Sequence, residues 1–328
     1  MDFPVSRQSF CFDTVCEISV YETAGDMDEK ETGKLIDEAF KLCGEYEDLF
    51  SRTRKGSDIY RINHAEGERV YCDKRTLEVI KKGIYFGEIS EGRFDISIGR
   101  LTELWDFHAD DPVLPAEEEI REALAHMDYR KIELSEEGKE DGEPSEDKKQ
   151  AEKPDRGGWV RLSDPQMMLD LGGLAKGYAA DRVYDFLKER GVKSAVINLG
   201  GNVECLGEKP AEGGGLPFKI GIETPYSDRS EISETLELRD ETAVTSGVYE
   251  RFFEAGGKKY HHILDPSTGY PCETDLLSAT IVSESGNSCD ADALSTICLM
   301  LGKEGAEEFL RNLKGFEGHF IESHPEGK

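Results

Sequence analysis

Apolar and polar positions alternate along this chain with two different periods, and the switches between them outline its elements. Residues Phe10–Tyr21 alternate closely enough for a strand, with Val15, Ile18 and Val20 in reach of a core. Leu35–Leu49 changes to helical spacing through Ile36, Phe40, Leu42, Cys43 and Tyr46, and a second helix is expected over Leu77–Ile89. The run FDISIGRLTELWDF, Phe94–Phe107, begins like a strand, breaks at a glycine and ends on paired aromatics. Short strands are expected at Trp159–Leu162 and Met167–Asp170, followed by a glycine-rich turn and a helix from about Leu174 to Arg190. Ala195–Leu199, Lys219–Glu223 and Leu276–Ser283 read as further strands, and two last helices cover Asp290–Leu301 and Glu304–Asn312. There is no internal repeat and no regular rhythm of a doubly wound sheet, so the pattern predicts the α+β class.

One segment breaks the pattern. Ser135–Gly158 is rich in charge, has no aromatic residue and a single Ala as its apolar content. Such a stretch cannot offset its own ordering entropy, and it is expected to be a disordered acidic insertion in an otherwise single domain over residues 1–328.

Composition narrows the function classes. A chain of 328 residues with 37% hydrophobic and 9% aromatic content can bury a sizeable core. A net charge of -29 argues against nucleic acid or an anionic membrane as a partner, while leaving room for a small anionic ligand in a locally inverted field. The eight cysteines form no CxxC pair and read as free buried thiols. MDFPVSRQSF has no apolar leader, so the chain as written is expected in the cytoplasm. The alternative is an exported, membrane-anchored protein whose leader is absent from this sequence.

Four segments carry candidate chemistry. In YHHILDPSTGYP, Tyr260–Pro271, two histidines and a buried Ile263–Leu264 pair run into a Pro/Gly-punctuated loop, which serves equally as ordinary turn chemistry. LDLGGLAKGYAAD, Leu169–Asp181, sets Gly172 and Gly173 at a strand exit and Lys176 in the first turn of a helix, either an anion cradle or a tight turn. In CDADALSTICLMLG, Cys289–Gly302, Asp292 and Thr296 stand one helical turn apart. They are hard oxygen donors suited to Mg²⁺, or else a dipole-stabilising carboxylate and a back-bonded hydroxyl. SRTRKGSDIYRIN, Ser51–Asn63, offers basic side chains and Tyr60, which could stack on a planar ligand or pack in the core. NLGGNVECLG, Asn198–Gly207, is a further glycine-rich stretch, read as a bulge or close backbone crossing.

Taken in order, SDIYRIN, FDISIGRLTELWDF, LDLGGLAKGYAADRV, INLGGN, AVTSGVYERFF, YHHILDPSTGYP and DADALST resemble the ApbE family of FAD:protein FMN transferases, over about Phe10 to Gly302. The resemblance implies an interwoven domain of mixed sheets with surrounding helices. It also implies an Mg²⁺-dependent reaction that splits FAD, joins FMN to a Thr or Ser hydroxyl of an acceptor flavoprotein and releases AMP. Under it, Asp292, Thr296, Ser295 and the backbone of Gly173 match metal-site positions, and His262 matches the histidine that assists the acceptor hydroxyl. Tyr60, Arg93, Phe94, Asp95, Asp170, Lys176 and Ile263 match positions lining the FAD. Adjacent His261 and His262 in a strand face opposite sides, so only one reaches a given site. Two other readings stand beside this one: an Mg²⁺-dependent FAD pyrophosphatase giving FMN and AMP, and a non-catalytic FAD-binding protein.

Overall fold

The computed structural model describes residues 4–25, 27–107, 109, 112–136, 156–227 and 231–323. Strands β1 (Val5–Cys11) and β2 (Thr14–Thr23) form a hairpin, followed by α1 (Glu29–Phe50), α2 (Asp58–Asn63), β3 (Val70–Asp73) and α3 (Lys74–Ile89). Next come α4 (Gly99–Trp105), α5 (Glu117–Ala125), β4 (Ile132–Glu136), β5 (Arg156–Leu162), α6 (Ala175–Glu189), β6 (Val192–Leu199) and β7 (Asn202–Leu206). The rest of the chain supplies β8 (Phe218–Glu223), β9 (Ile232–Leu238), β10 (Glu241–Gly247), β11 (Phe252–Ala255) and β12 (Lys258–His261). It ends with β13 (Leu276–Glu284), α7 (Ser288–Arg311) and β14 (Phe316–Glu322). The α+β class expected from the sequence is what the structure has.

A seven-stranded antiparallel sheet, ordered β1-β2-β6-β7-β10-β13-β14, organises the molecule. Its alternation sorts side chains to two cores. Ala195, Ile197 and Leu199 of β6 join the large core with α1, α6 and α7, while Val196 turns to the other face. There the β8–β9 hairpin covers the sheet through Phe218, Ile222, Leu236 and Leu238. A third cluster, around Leu101, Trp105, Ile120 and Leu264, joins α4 and α5 to the loop after β12. Trp105 Nε1 donates to the Gly269 carbonyl at 2.8 Å, which ties FDISIGRLTELWDF to YHHILDPSTGYP.

Several local expectations change. Phe10–Tyr21 is not one strand: Phe12 and Asp13, at φ 52 and 56, make a two-residue hairpin turn between β1 and β2. Ile18 and Val20 are buried as expected, but Val15 is 58% exposed. Phe94 does not open a strand, and Met167–Asp170 contributes only a single bridge, Met168 to Ile98. The segment 135–158 is narrower than its composition suggested, because Ser135 and Glu136 pair with Trp159 and Gly158. Gly157 lies so close to Lys74 that a side chain would collide with it, which explains a strand built on glycine. Residues 137–155 lie outside the described residues. The two last helices are present as expected, meeting inside α7 at Gly302, whose non-helical backbone at φ 69 suits glycine and separates them.

The junction of α6 with α7 fixes the site. A Cβ on Gly177 would meet the Ser288 carbonyl and stand 2.7 Å from Cys289 Cα, so only glycine permits this approach. One turn later, the Asp181 carboxylate accepts from the Ser288 and Cys289 amides at 2.7 and 3.0 Å, capping α7 from a neighbouring helix. Burial raises the Asp181 carboxyl to about 6. Glu204 on β7 is fully buried and accepts from Gly286 N at 2.6 Å, with its other oxygen unpartnered among the described residues. Burial, reinforced by Asp181, holds Glu204 well above the usual carboxylate range. Gly177→Ala should lower stability by about 1–3 kcal/mol through overpacking at this crossing. Denaturant titration would show it as a lower midpoint at unchanged slope, and an unchanged midpoint would contradict the close approach.

Candidate active site

A cavity of about 1230 Å³ opens beside the sheet, walled by the β1–β2 turn, the loop after α1, the start of α6, the end of β10, the His262–Leu264 segment and α7. Ten of the twelve residues singled out from the sequence line it: Arg93, Phe94, Asp95, Asp170, Gly173, Lys176, His262, Ile263, Asp292 and Thr296. Segments more than a hundred residues apart thus meet in one hollow.

The acidic corner is built by α6 and α7. Asp292 is 3% exposed; its Oδ2 accepts from Gly177 N at 3.1 Å and its Oδ1 lies 3.7 Å from Lys176 Nζ. Lys176 is too distant for a tight pair, so Oδ1 keeps coordinating capacity. Thr296 stands one turn further, its Oγ1 3.2 Å from Ser246 Oγ. Gly173 faces both: a Cβ there would stand 2.9 Å from the Phe94 ring and 3.9 Å from Thr296 Oγ1. The set therefore offers one carboxylate, hydroxyls and a glycine backbone. Among the described residues no group of three His, Cys, Asp or Glu could hold a metal. These donors suit a cation such as Mg²⁺, which takes one or two carboxylates and completes its shell with water and substrate phosphate.

Ser295 is not on the cavity wall. It is fully buried, donates to the Asp292 carbonyl at 2.8 Å and bonds Ser246 Oγ at 2.8 Å, so it braces the turn that carries Asp292. Tyr60 is outside the cavity as well. In α2, Ile59 and Ile62 point to the core, which leaves Tyr60 on the opposite side, stacked on His64 at 3.9 Å.

What its segment gives the site comes from neighbours. Arg52 and Thr53 line the cavity, Arg52 Nε lies 3.3 Å from Asp170 Oδ2, and Asn63 clamps the Leu169 backbone at 2.7 and 2.9 Å. Asp170 also accepts from Gly172 N at 2.8 Å, which shapes the glycine turn before α6. α6 starts without a side-chain cap, leaving its positive end toward this turn. Asp95 holds Ser97 at its amide and hydroxyl (2.7 and 2.6 Å), and burial raises its carboxyl, so it is first a turn former.

Elsewhere on the lining, the Arg251 carbonyl accepts from His262 N at 3.1 Å and lies 3.2 Å from His262 Nδ1. A carbonyl only accepts, so Nδ1 carries the proton and Nε2 keeps its lone pair. The ring opens partly on the cavity, yet the protein around it is dense. Burial, with help from the Arg251 and Lys176 charges, pushes the imidazole down to about 3. It is a neutral base at any ordinary pH. His261 faces away: its Nε2 donates to the Cys272 carbonyl at 3.1 Å, and burial pulls it down to about 4. Glu250 was missed by sequence reasoning although it lies in AVTSGVYERFF. Its side chain is exposed to the cavity but walled by protein, and burial raises its carboxyl against the pull of Lys176 and Arg251.

Lining this hollow together, then, are a cation-suited oxygen set and a neutral imidazole, with lysine, arginine and a helix N-terminus that can hold an anion. Comparison with known proteins gives the chain's relatives. The ApbE family profile matches residues 12–320. A FAD:protein FMN transferase of Treponema pallidum (strain Nichols) is 33% identical over 322 residues, covering 96% of this chain and 84% of that protein. The crystal structure of an ApbE protein from Thermotoga maritima superposes with a TM-score of 0.81 at 29% identity, covering 97% of this chain and 94% of its own. The flavinyl transferase ApbE of Pseudomonas stutzeri gives 0.78 at 27% identity, with coverages of 98% and 92%.

Proposed function

The chain belongs to the ApbE family, and from that membership we propose that it is a FAD:protein FMN transferase acting as a single domain on a Ser or Thr hydroxyl of an acceptor flavoprotein. The observation that carries the reading is the placement of Asp292, Thr296 and Gly173 in the same cavity as His262. The acceptor oxygen bonds to the FMN phosphorus, and the bond from that phosphorus to the bridging oxygen breaks. AMP leaves with that electron pair. His262 Nε2 takes the acceptor proton, with the Arg251 carbonyl fixing the ring.

Asp292, Thr296 and the Gly173 carbonyl would hold Mg²⁺, with Ser295 bracing Asp292 from behind. Bound there, Mg²⁺ neutralises charge on the pyrophosphate oxygens during transfer. Lys176 and the open end of α6 bind the same anion, and Arg52, Asp170, Arg93, Phe94, Asp95 and Ile263 shape the walls around the rest of FAD. Among the described residues no helix is long and apolar enough to cross a membrane.

The test is incubation with FAD, Mg²⁺ and an acceptor domain, read by intact mass. A gain of one FMN less water, dependent on Mg²⁺, is expected. AMP release without that gain would make the protein a pyrophosphatase, and bound FAD with neither product would leave a carrier.

A further inference from the structure

Next to His262 the cavity rim carries a cluster that the transfer chemistry does not use. Tyr226 and Phe252 are 49% and 38% exposed, although large aromatic rings are usually covered. They meet edge to face at 5.6 Å, and Tyr226 meets Tyr249 at 5.9 Å. Lys259 Nζ lies 4.1 Å from the Tyr226 ring centre and 5.1 Å from that of Phe252. Tyr226 holds its place at φ 60, a conformation that side-chain-bearing residues adopt at a cost.

The charge here runs against the rest of the molecule. The chain as a whole carries -29, yet the segment 251–262 holds Arg251, Lys258 and Lys259 against one carboxylate, Glu254; of the two lysines, Lys259 lies on the Phe252 face of the hairpin and Lys258 on the Tyr260 face. Glu254 pairs in register with Lys259 without forming an ion pair, and among the described residues neither lysine has a carboxylate within salt-bridge distance. β11 and β12 pair only with each other, so each keeps an outer edge without a strand partner among the described residues.

We propose that this rim is the docking surface for the acceptor, engaging an extended segment that places a carboxylate on Lys259 and an apolar side chain on Tyr226 and Phe252. The inference rests on the transferase reading above. Exposed aromatics beside a lysine without a carboxylate partner are the composition of a binding hot spot, and an open strand edge offers main-chain hydrogen bonds to an extended partner. Charge complementarity selects the partner: an acidic segment is repelled by the bulk surface and attracted at Lys259, beside the exposed rings. This landing place is also coupled to the chemistry. Phe252 follows Arg251, whose carbonyl holds His262, so a segment seated on β11 brings its hydroxyl to the imidazole.

The test uses FAD-saturated protein and two fluorescein-labelled peptides. One carries a single Thr flanked by Asp and Leu residues, and the other has Lys in place of each Asp. The acidic peptide should bind at least tenfold more tightly than its lysine counterpart. Lys259→Glu should reverse that order, and Tyr226→Ala and Phe252→Ala should each weaken binding about tenfold. FAD affinity, read by flavin fluorescence, should stay within twofold of wild type in all three. Binding indifferent to charge, variants with wild-type affinity, no peptide binding, or FAD affinity falling in parallel would each overturn the proposal. If the peptide binds as stated but its Thr gains no FMN, the docking surface stands and the transferase reading fails.

Discussion

Asp292→Asn should lower Mg²⁺-dependent AMP release by about 10²–10³-fold, the effect of removing several kcal/mol of charge stabilisation from the transition state. Asparagine is a better probe than alanine. Asp292 Oδ2 accepts from Gly177 N in the buried seam between α6 and α7, and alanine would leave that amide unsatisfied at a cost of about 1–3 kcal/mol. The amide oxygen of asparagine can keep the bond, so stability should change little while the charge facing Lys176 disappears. The measurement is a titration of AMP release against Mg²⁺ beside a denaturation curve. Turnover within tenfold of wild type, at wild-type metal demand, would remove Asp292 from the metal site.

His262→Ala should lower transfer to the acceptor by about 10²–10⁴-fold, the usual contribution of a positioned base, and leave FAD affinity close to wild type. The pH dependence carries a further signature. A histidine must be neutral to take a proton, and burial keeps this imidazole neutral down to about pH 3 in the free protein. As pH falls, kcat/KM should therefore hold through the ordinary histidine range and decline only well below it. Bound FAD brings negative charge to the cavity and favours the imidazolium, so the acid limb of kcat should lie at higher pH than that of kcat/KM. An acid limb of kcat/KM near 6.5 would show that His262 is solvated like a surface histidine.

The large elements were legible wherever one face is consistently apolar. Of the positions whose spacing marked α1, Ile36, Cys43 and Tyr46 are in the core, and Phe40 and Leu42 are partly buried against it. Its true start at Glu29 lay outside that pattern because the first turn is polar; the signal there was the capping box of Asp28 and Glu31. The β1–β2 turn was hidden because Phe12 and Asp13 adopt positive φ without glycine. Glu204 makes β7 look like a surface strand, although it is fully buried.

For the candidate site, chemistry that depends on one helix was readable: Asp292 and Thr296 are four residues apart on α7 and both reach the cavity. Tyr60 was preferred over Arg52 and Thr53 because an aromatic ring is the conspicuous feature of its segment. Which residues of a loop face inward depends on distant packing, here the clamp between Asn63 and Leu169. No local period reports that.

Buried acids at one seam and buried imidazoles at the other bear on unfolding as a proton exchange. Unfolding returns His261 and His262 from about 4 and about 3 to 6.5, so below pH 6.5 each takes up a proton as the chain opens, and stability falls with acid. Asp181 returns from about 6 to 3.8, and Glu204 falls from its raised value to 4.5, so above pH 4.5 these release protons on opening, and stability falls with alkali. Between about pH 4.5 and 6 the two uptakes and the two releases oppose one another for these four groups. Their share of stability therefore varies less with pH inside that interval than outside it, falling with acid below and with alkali above.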